Sequence, residues 1–288
     1  MEFYLLSPHP EAHMMGFAFR TDGGRLLLID GGMEDLQGDL GCTGYLWETL
    51  CRITGSDRPH VDAWILTHPH GDHVSEFSRM CRLHPGEFSI GAVYQNFPDV
   101  DLLPEEMKIP EEDKALVRQL VRNYDACFGP GAFAALKPVS NGDRFELDGL
   151  EIEILSAPVW PDFNNLNNAS VVFRVTAAGQ RFFFPGDICV TGVRHLLAAV
   201  DEADLQSDVC QLAHHGHGGA RHGFYASVRP KFSIICTQKS LWDDRENNEL
   251  AQVLAEPEVA ASRLLVVGRD APCVFTLPLE ADAVGRPI

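Results

Sequence analysis

Short apolar runs recur along the chain, and polar turns separate them. Residues 16–20 and 25–29 flank a turn at 21–24, and they predict a pair of strands within residues 1–30. The apolar run at 63–66 predicts a buried strand, and the residues after it predict a helix and then another strand. This strand–helix–strand order indicates an α/β layered fold.

The second half of the chain again places strands before helices. Residues 150–155 alternate between apolar and polar side chains, and residues 180–184 form an apolar run, so both segments predict strands. Two such halves predict a sandwich of two sheets with helices outside. Further predicted strands are 91–94, 171–175, 208–213, 231–236, 264–267 and 273–277, and predicted helices are 43–54, 74–83, 193–206 and 245–255.

Residues 98–137 interrupt this order with an acidic segment that prolines punctuate. Residues 114–127 within it predict a helix. Two interpretations stay open for this helix: a solvated surface helix, or an insert or lid beside a functional site. Because no linker separates two clear units, we expect one domain over residues 1–288, with a helical insert at about 98–137.

The turn after the strand at 63–66 carries four potential metal ligands, which are His68, His70, Asp72 and His73. In an extended chain, residues two apart point the same way, so the first two imidazoles can share one cation. Imidazole and carboxylate groups are the usual ligands of zinc and its neighbours. So dense a group directly after a buried strand predicts a metal site rather than an ordinary polar loop.

Other predicted strands also end in polar side chains that could reach a common site. Asp30 and Asp187 each follow an apolar strand directly. His214 and His215 follow the predicted strand at 208–213. Since side chains of neighbouring residues in a strand point to opposite faces, we expect only one of these two histidines to bind a metal, and the sequence leaves open which one.

The pattern His-x-His-x-Asp-His at residues 68–73 resembles the signature of the metallo-β-lactamase fold superfamily. The resemblance implies a four-layer αββα sandwich of two mixed β-sheets flanked by helices. It also implies a metal-dependent hydrolase that uses a metal-activated water, with Asp72 or Asp187 as proton acceptor and Asp30 supporting the ligands. The implied ligands are His68, His70 and Asp187 for the first metal, and Asp72, His73, Asp187 and either His214 or His215 for the second.

The chain departs from the family pattern before Asp187, where a further histidine is usual. The asparagine-rich loop from Asn164 to Ser170 lies there instead. Together with Pro-Gly-Asp at 185–187 and His-His-Gly at 214–216, this loop, which contains Asn167-Asn168-Ala169-Ser170, resembles the hydrolase domain of competence DNA-uptake channels and its soluble relatives. We expect Asn167, Asn168 and also His217 to support the site or contact substrate. Because an amide oxygen is a weak, neutral ligand, the departure leaves open one or two zinc ions, manganese, or a single occupied site.

The composition of the chain restricts the classes of partner that we expect it to bind. The formal net charge of −18 argues against general binding to nucleic acid or an anionic membrane, whereas bound cations would still attract a small anionic substrate. No apolar run is long enough to span a bilayer, and residues 1–6 lack the features of a signal peptide, so we expect a cytoplasmic protein. The eight cysteines form no Cys-x-x-Cys pair, and we expect reduced thiols.

We therefore expect a hydrolase of a small-molecule substrate, most simply a phosphodiester or similar anionic ester. His217, Arg221 and His222 could hold the anion. Two alternatives remain: a lactone, lactam or thioester hydrolase, and a non-catalytic metal-binding protein whose site has degraded. A di-iron redox site is disfavoured because it needs more carboxylate ligands and a flavin partner domain.

Overall fold

The apolar runs form β-strands in both halves of the chain. The structure is a computed structural model, and it describes residues 1–6, 15–33, 44–220, 223–267 and 272–288. The strands are β1 (Glu2–Leu5), β2 (Gly16–Arg20), β3 (Leu26–Asp30), β4 (His60–Ile65), β5 (Ser89–Tyr94), β6 (Arg144–Leu147), β7 (Leu150–Ser156), β8 (Val172–Ala177), β9 (Gln180–Phe184), β10 (Val209–Gln211), β11 (Phe232–Cys236), β12 (Arg263–Val267), β13 (Cys273–Thr276) and β14 (Arg286–Pro287).

Helices and short 3₁₀ turns connect these strands within the described ranges. The helices are α1 (Tyr45–Thr54), α2 (Gly71–Leu83), α3 (Glu111–Phe128), α4 (Val190–Ala199), α5 (Phe224–Val228), α6 (Lys239–Asp243), α7 (Leu250–Leu254) and α8 (Pro257–Ala261). The 3₁₀ turns are Glu105–Met107, Asn167–Ala169, Glu202–Leu205 and Ala213–Gly216. None of the described helices combines the length and the apolar content that crossing a lipid bilayer requires.

The described strands form two mixed sheets of seven strands each. The first has the order β14-β13-β1-β2-β3-β4-β5, and the second has the order β12-β11-β10-β9-β8-β7-β6. In the first sheet β3, β4 and β5 run parallel, and in the second β9 to β12 run parallel. Parallel strands end at the same edge of a sheet, so each sheet delivers several strand ends to one place.

Three layers of apolar side chains stabilise the sandwich, and strand β9 contributes side chains to two of them. Phe182 and Phe184 point into the core between the sheets, where their rings lie 5.0 Å from Phe3 and 5.2 Å from Phe17. Phe183 points the other way, into the layer beneath the helices of the second sheet. A strand buried on both faces reads as a continuous apolar run, as this one does. The predicted four-layer sandwich is confirmed.

Several predicted boundaries differ from the structure. Residues 1–30 hold three strands rather than a pair, because β1 pairs with β2 and also with the distant β13. The helix predicted at 245–255 is confined to Leu250–Leu254, and that predicted at 193–206 ends at Ala199 before a 3₁₀ turn. Helix α2 begins at Gly71 rather than residue 74, which places two predicted ligands in its first turn.

Candidate metal centre

The carboxyl ends of four strands meet at one edge of the sandwich. In the first sheet, β3 ends at Asp30, and the parallel β4 leads into residues 67–73. In the second sheet, β9 leads into Asp187, and the parallel β10 leads into His215. The chain reversals that follow each strand therefore bring side chains from distant parts of the sequence into one polar cluster.

The start of helix α2 is fixed to the end of β3 through backbone hydrogen bonds. The N–H groups of Gly31 and Gly32 donate to the carbonyl oxygen of His73 at 2.7 and 3.0 Å. The N–H of Met15 donates to the carbonyl of Asp72 at 3.1 Å. These bonds fix the first turn of α2 so that the side chains of Asp72 and His73 lie towards the second sheet.

Asp30 organises the first sheet's side of the cluster, although its backbone is left-handed, with φ of 52°. Its Oδ1 accepts the backbone N–H of Thr67 at 2.8 Å, and its Oδ2 accepts the Thr67 hydroxyl at 2.7 Å and the Nδ1–H of His73 at 2.8 Å. Burial raises the pKa of the Asp30 carboxyl, and the neighbouring His73 opposes that shift. The predicted supporting residue thus lies behind His73 and turns its Nε2 towards the cluster.

Two overlapping groups of three ligand atoms form the centre. One group consists of His68, His73 and Asp187, and the other consists of Asp72, His73 and His215. Within each group the ligand atoms lie within 4.8 Å of one another. Oδ2 of Asp187 lies 3.3 Å from Nε2 of His73, 3.4 Å from Nε2 of His215 and 3.9 Å from Nε2 of His68. The carboxylate of Asp187 therefore sits between imidazoles from both sheets.

His70 lies at the edge of this arrangement, and neither three-residue group includes it. Its Nδ1 is 3.2 Å from Nε2 of His68, and its Nε2 is 3.9 Å from Oδ2 of Asp113 in helix α3. The structure thus brings His70 to His68, as predicted, but assembles only part of the expected first set with Asp187.

Of the two adjacent histidines, His215 is the one that faces the centre. Its Nε2 is 3.0 Å from Oδ2 of Asp72, and its Nδ1–H donates to the carbonyl of Cys236 at 2.9 Å. His214 lies beside the centre, with Nδ1 3.7 Å from Sγ of Cys189 and Nε2 3.5 Å from Nδ2 of Asn167. The prediction of a single ligand assumed that side chains alternate along a strand. That assumption is wrong here, because both histidines have left-handed backbones, with φ of 52° and 55°.

The asparagine-rich segment before β8 supports the loop that carries Asp187. Oδ1 of Asn168 accepts the N–H groups of Cys189 and Gly192 at 2.8 and 2.9 Å, which fixes the start of α4. Oγ of Ser170 accepts the N–H of Asp187 at 3.1 Å and donates to the carbonyl of Asn167 at 2.7 Å. Asn168 therefore acts from behind the centre.

Glycine is required at position 186 for this support. Gly186 has a φ of 59°, and a Cβ there would lie 2.8 Å from Oγ of Ser170. Gln211 also holds the residue, because its Oε1 accepts the N–H of Gly186 at 3.0 Å. Sequence reasoning did not single out Gln211 or the supporting role of Ser170. The Asn-Asn-x-Ser pattern was the available signal for the serine, whereas nothing local marks the glutamine.

Two buried oxygen atoms, one in the centre and one beside His214, have no hydrogen-bond partner among the described residues. They are Oδ1 of Asp187 and Oδ1 of Asn167. A buried polar atom without a partner costs about 1–3 kcal/mol, so such atoms usually bond to an ordered water, a ligand or an ion. Oxygen and imidazole donors of this kind fit zinc or manganese.

The electrostatics of the cluster also favour a cation. Burial opposes the charged form of His73 and His215, yet the carboxylates around them raise the pKa of His73 well above its usual range and that of His215 to about 10. Burial disfavours the charged form of Asp187 too, but these imidazoles hold its pKa well below its usual range. A bound metal replaces such imidazolium protons, which couples metal affinity to pH.

The backbone N–H of His217 donates to the carbonyl of His214 at 2.7 Å. The side chain of His217 is half-buried and belongs to neither three-residue group. The loop that carries it is tied to the rest of the fold, because Glu249 accepts the N–H of Gly218 at 2.9 Å. The other two residues predicted to hold an anion, Arg221 and His222, lie outside the described residues.

Comparison with known proteins identifies the family. The family model described as "Beta-lactamase superfamily domain" matches residues 25–223. The chain belongs to this family. It is also similar to ComE operon protein 3 of Bacillus subtilis (strain 168), with 24% identity over 212 residues. That match covers 73% of this chain and 24% of the relative, so the chain spans about a quarter of the relative's length.

Solved structures agree on the fold. The metallo-beta-lactamase fold protein YhfI from Bacillus subtilis matches with a TM-score of 0.50 and 12% identity, covering 94% of this chain and 99% of that one. Zn²⁺-bound PqqB from Methylobacterium extorquens matches with a TM-score of 0.50 and 14% identity, covering 96% of this chain and 100% of that one. The predicted family and fold are confirmed.

Proposed function

We propose that this member of the beta-lactamase superfamily is a metal-dependent hydrolase that cleaves a phosphodiester or a similar anionic ester. The observation that carries the proposal is the pair of overlapping ligand groups around Asp187, in which imidazoles and carboxylates from both sheets converge. One or two zinc ions are the proposed cofactor, with manganese as the alternative. The zinc-bound state of PqqB, which shares the fold, supports zinc.

The proposed ligands divide between the two groups. His68, with His70 beside it, would hold one cation, and Asp72 with His215 would hold the other. Asp187 and His73 lie between them and would be shared or would divide between the two. When bound, divalent cations would supply Lewis acidity, which lowers the pKa of a water and polarises the ester oxygen.

Asp72 and Asp187 have different roles in this proposal. The side chain of Asp72 is 26% exposed, so Asp72 is the carboxylate of the centre that can accept a proton from water and pass it to solvent. The side chain of Asp187 is 2% exposed, and its Oδ2 faces three imidazoles. Asp187 therefore holds the imidazoles in place rather than exchanging protons with solvent.

The half-buried Asn167 and His214 border the same centre. The Nδ2 of Asn167 and the Nε2 of His214 lie 3.5 Å apart, and both are polar groups that can orient an oxygen of the substrate. Positive charge from bound cations would favour an anionic ester at this point, even though the whole chain is strongly acidic. The same acidity supports a second candidate, the hydrolysis of an uncharged lactone, lactam or thioester.

The test is metal analysis followed by an assay with bis(p-nitrophenyl) phosphate, with and without a chelator. We expect bound metal, turnover that the chelator abolishes, and loss of turnover in His73→Ala. The matched control is His60→Ala, because His60 lies at the opposite end of β4 and is exposed. Turnover of lactones or thioesters but not the phosphodiester would favour the second candidate. Bound metal without turnover on any ester would favour a non-catalytic protein.

A further inference from the structure

The imidazoles that face the centre share a feature. In each of three cases, one ring nitrogen points at the cluster and the other is held by an oxygen of the protein. The pairs are His68 Nδ1 with Thr67 Oγ1 (3.2 Å), His73 Nδ1 with Asp30 Oδ2 (2.8 Å) and His215 Nδ1 with Cys236 O (2.9 Å). Holding the outer nitrogen fixes the ring's orientation and leaves the lone pair of the inner nitrogen free for a metal.

The ring of His70 is reversed, and its outer nitrogen has a longer contact, to a carboxylate. Its Nδ1 faces Nε2 of His68, and its Nε2 points outwards to Oδ2 of Asp113 at 3.9 Å. We infer that Asp113 is the positioning residue of His70: its carboxylate fixes the imidazole so that Nδ1 faces the metal. This inference rests on the proposed function, since it assigns a role towards the proposed metal.

Asp113 can do this because helix α3 is packed firmly on α2. Asn123 donates from Nδ2 to Oγ of Ser78 at 2.8 Å, and the ring of Tyr124 lies 6.1 Å from that of Phe77. Close to the site, Cδ2 of Leu116 is 3.8 Å from the position that a Cβ at Gly71 would occupy. These contacts make the first turn of α3 a fixed wall of the centre.

Asn167 lies where the family usually has a histidine, and its amide is a weaker metal ligand than an imidazole. The carboxylate of Asp113 would compensate for this difference. A carboxylate on the outer nitrogen makes an imidazole a more basic ligand, and losing such a partner typically costs about 10- to 100-fold in metal affinity. The side chains of His70 and Asp113 are 23% and 27% exposed, so both can rotate slightly and close the 3.9 Å gap. Asp113 thus strengthens a site that has one imidazole fewer.

The test compares Asp113→Ala and Asp113→Asn with the wild type by zinc competition titration and by the visible spectrum of the cobalt(II)-substituted protein. We expect zinc affinity at one site to fall about 10- to 100-fold, with a changed cobalt spectrum and an unchanged second site. The matched control is Glu112→Gln, because Glu112 lies in the same first turn of α3 and is exposed. It removes the same favourable charge at the helix start without touching His70.

A double-mutant cycle decides whether Asp113 acts through His70. Asp113→Ala should weaken zinc binding in the wild type but add nothing in a His70→Ala background. Equal losses in both backgrounds, or zinc affinity unchanged by Asp113→Ala, would overturn the inference while leaving the proposed hydrolase intact. A wild-type protein that binds no zinc, manganese or cobalt would overturn both. The thermal unfolding of the metal-free variants, which should match that of Glu112→Gln, excludes misfolding as the cause.

Discussion

Nε2 of His215 lies 3.0 Å from Oδ2 of Asp72, a contact that joins the two sheets of the sandwich at the metal centre. His214, the residue before it, contacts Cys189 and Asn167 instead. Two neighbouring residues of one type therefore have different surroundings, and they form a natural pair for testing which imidazole binds metal.

We expect His215→Ala to lose more zinc affinity than the roughly 10- to 100-fold that an outer partner contributes, because it removes an imidazole of the ligand group itself. His214→Ala should retain the wild-type metal content and change mainly the KM for substrate. Metal stoichiometry by plasma emission spectrometry, with competition titration for affinity, measures both. A larger loss of metal in His214→Ala than in His215→Ala would contradict the assignment.

The stability of the metal-free protein should depend on pH through His215. Burial works against its charged form, but Asp187 and Asp72 raise its pKa from the ordinary 6.5 to about 10. A group whose pKa is raised on folding stabilises the fold fully below its unfolded pKa, and that contribution is lost as the pH rises through the folded value. We therefore expect the melting temperature of the metal-free protein to fall between about pH 6.5 and pH 10.

The comparison that isolates this effect is His215→Gln, which cannot be protonated. Its metal-free form should show a weaker decline over the same pH range, measured by circular dichroism in a chelator. The zinc-loaded wild type should also decline less, because metal binding requires neutral imidazoles. Parallel melting curves for the wild type and His215→Gln across this range would refute the coupling.

The sequence predicted the members of the centre better than their arrangement. Asp30 is the last residue of β3, and Asp187 and the histidines lie in the segments that follow apolar strands; a strand followed by a polar turn is a local pattern. The choice of His215 over His214 depends on left-handed backbone angles that the surrounding fold imposes. Local pattern cannot fix such angles, since they cost energy that only tertiary contacts repay.

Contacts between distant segments account for most of what was missed. Asp113 reaches His70 only because α3 packs on α2, and no spacing rule links the two residues. Strand β1 depends on β13 at the far end of the chain. The predicted strand pair in residues 1–30 was therefore one strand short, whereas the predicted sandwich was right, because the layers follow from the order of apolar runs.

Restoring an imidazole at the amide position should strengthen the site. Nδ2 of Asn167 lies 3.5 Å from Nε2 of His214 beside the centre, and Oδ1 is buried without a hydrogen-bond partner among the residues described. We expect Asn167→His to bind zinc on the order of tenfold or more tightly, since imidazole is a better zinc ligand than an amide oxygen. Asp162→His, which adds an imidazole at an exposed position shortly before this segment, is the control. Equal zinc affinity in both variants would show that position 167 does not reach the metal.

Asp30 holds Thr67 and His73 from behind the cluster of candidate ligands. Asp30→Asn keeps the size of the side chain and tolerates the left-handed backbone, so it tests the charge and the acceptor role. We expect zinc affinity to fall about 10- to 100-fold, because the amide cannot accept every hydrogen bond that the carboxylate accepts. The metal-free protein should also be less stable by roughly 3–5 kcal/mol in urea unfolding, since a buried charge pair is broken. Asp22→Asn, at an exposed turn, should match the wild type in both measurements. If Asp30→Asn binds zinc as tightly as Asp22→Asn, the orientation of His73 does not depend on this carboxylate.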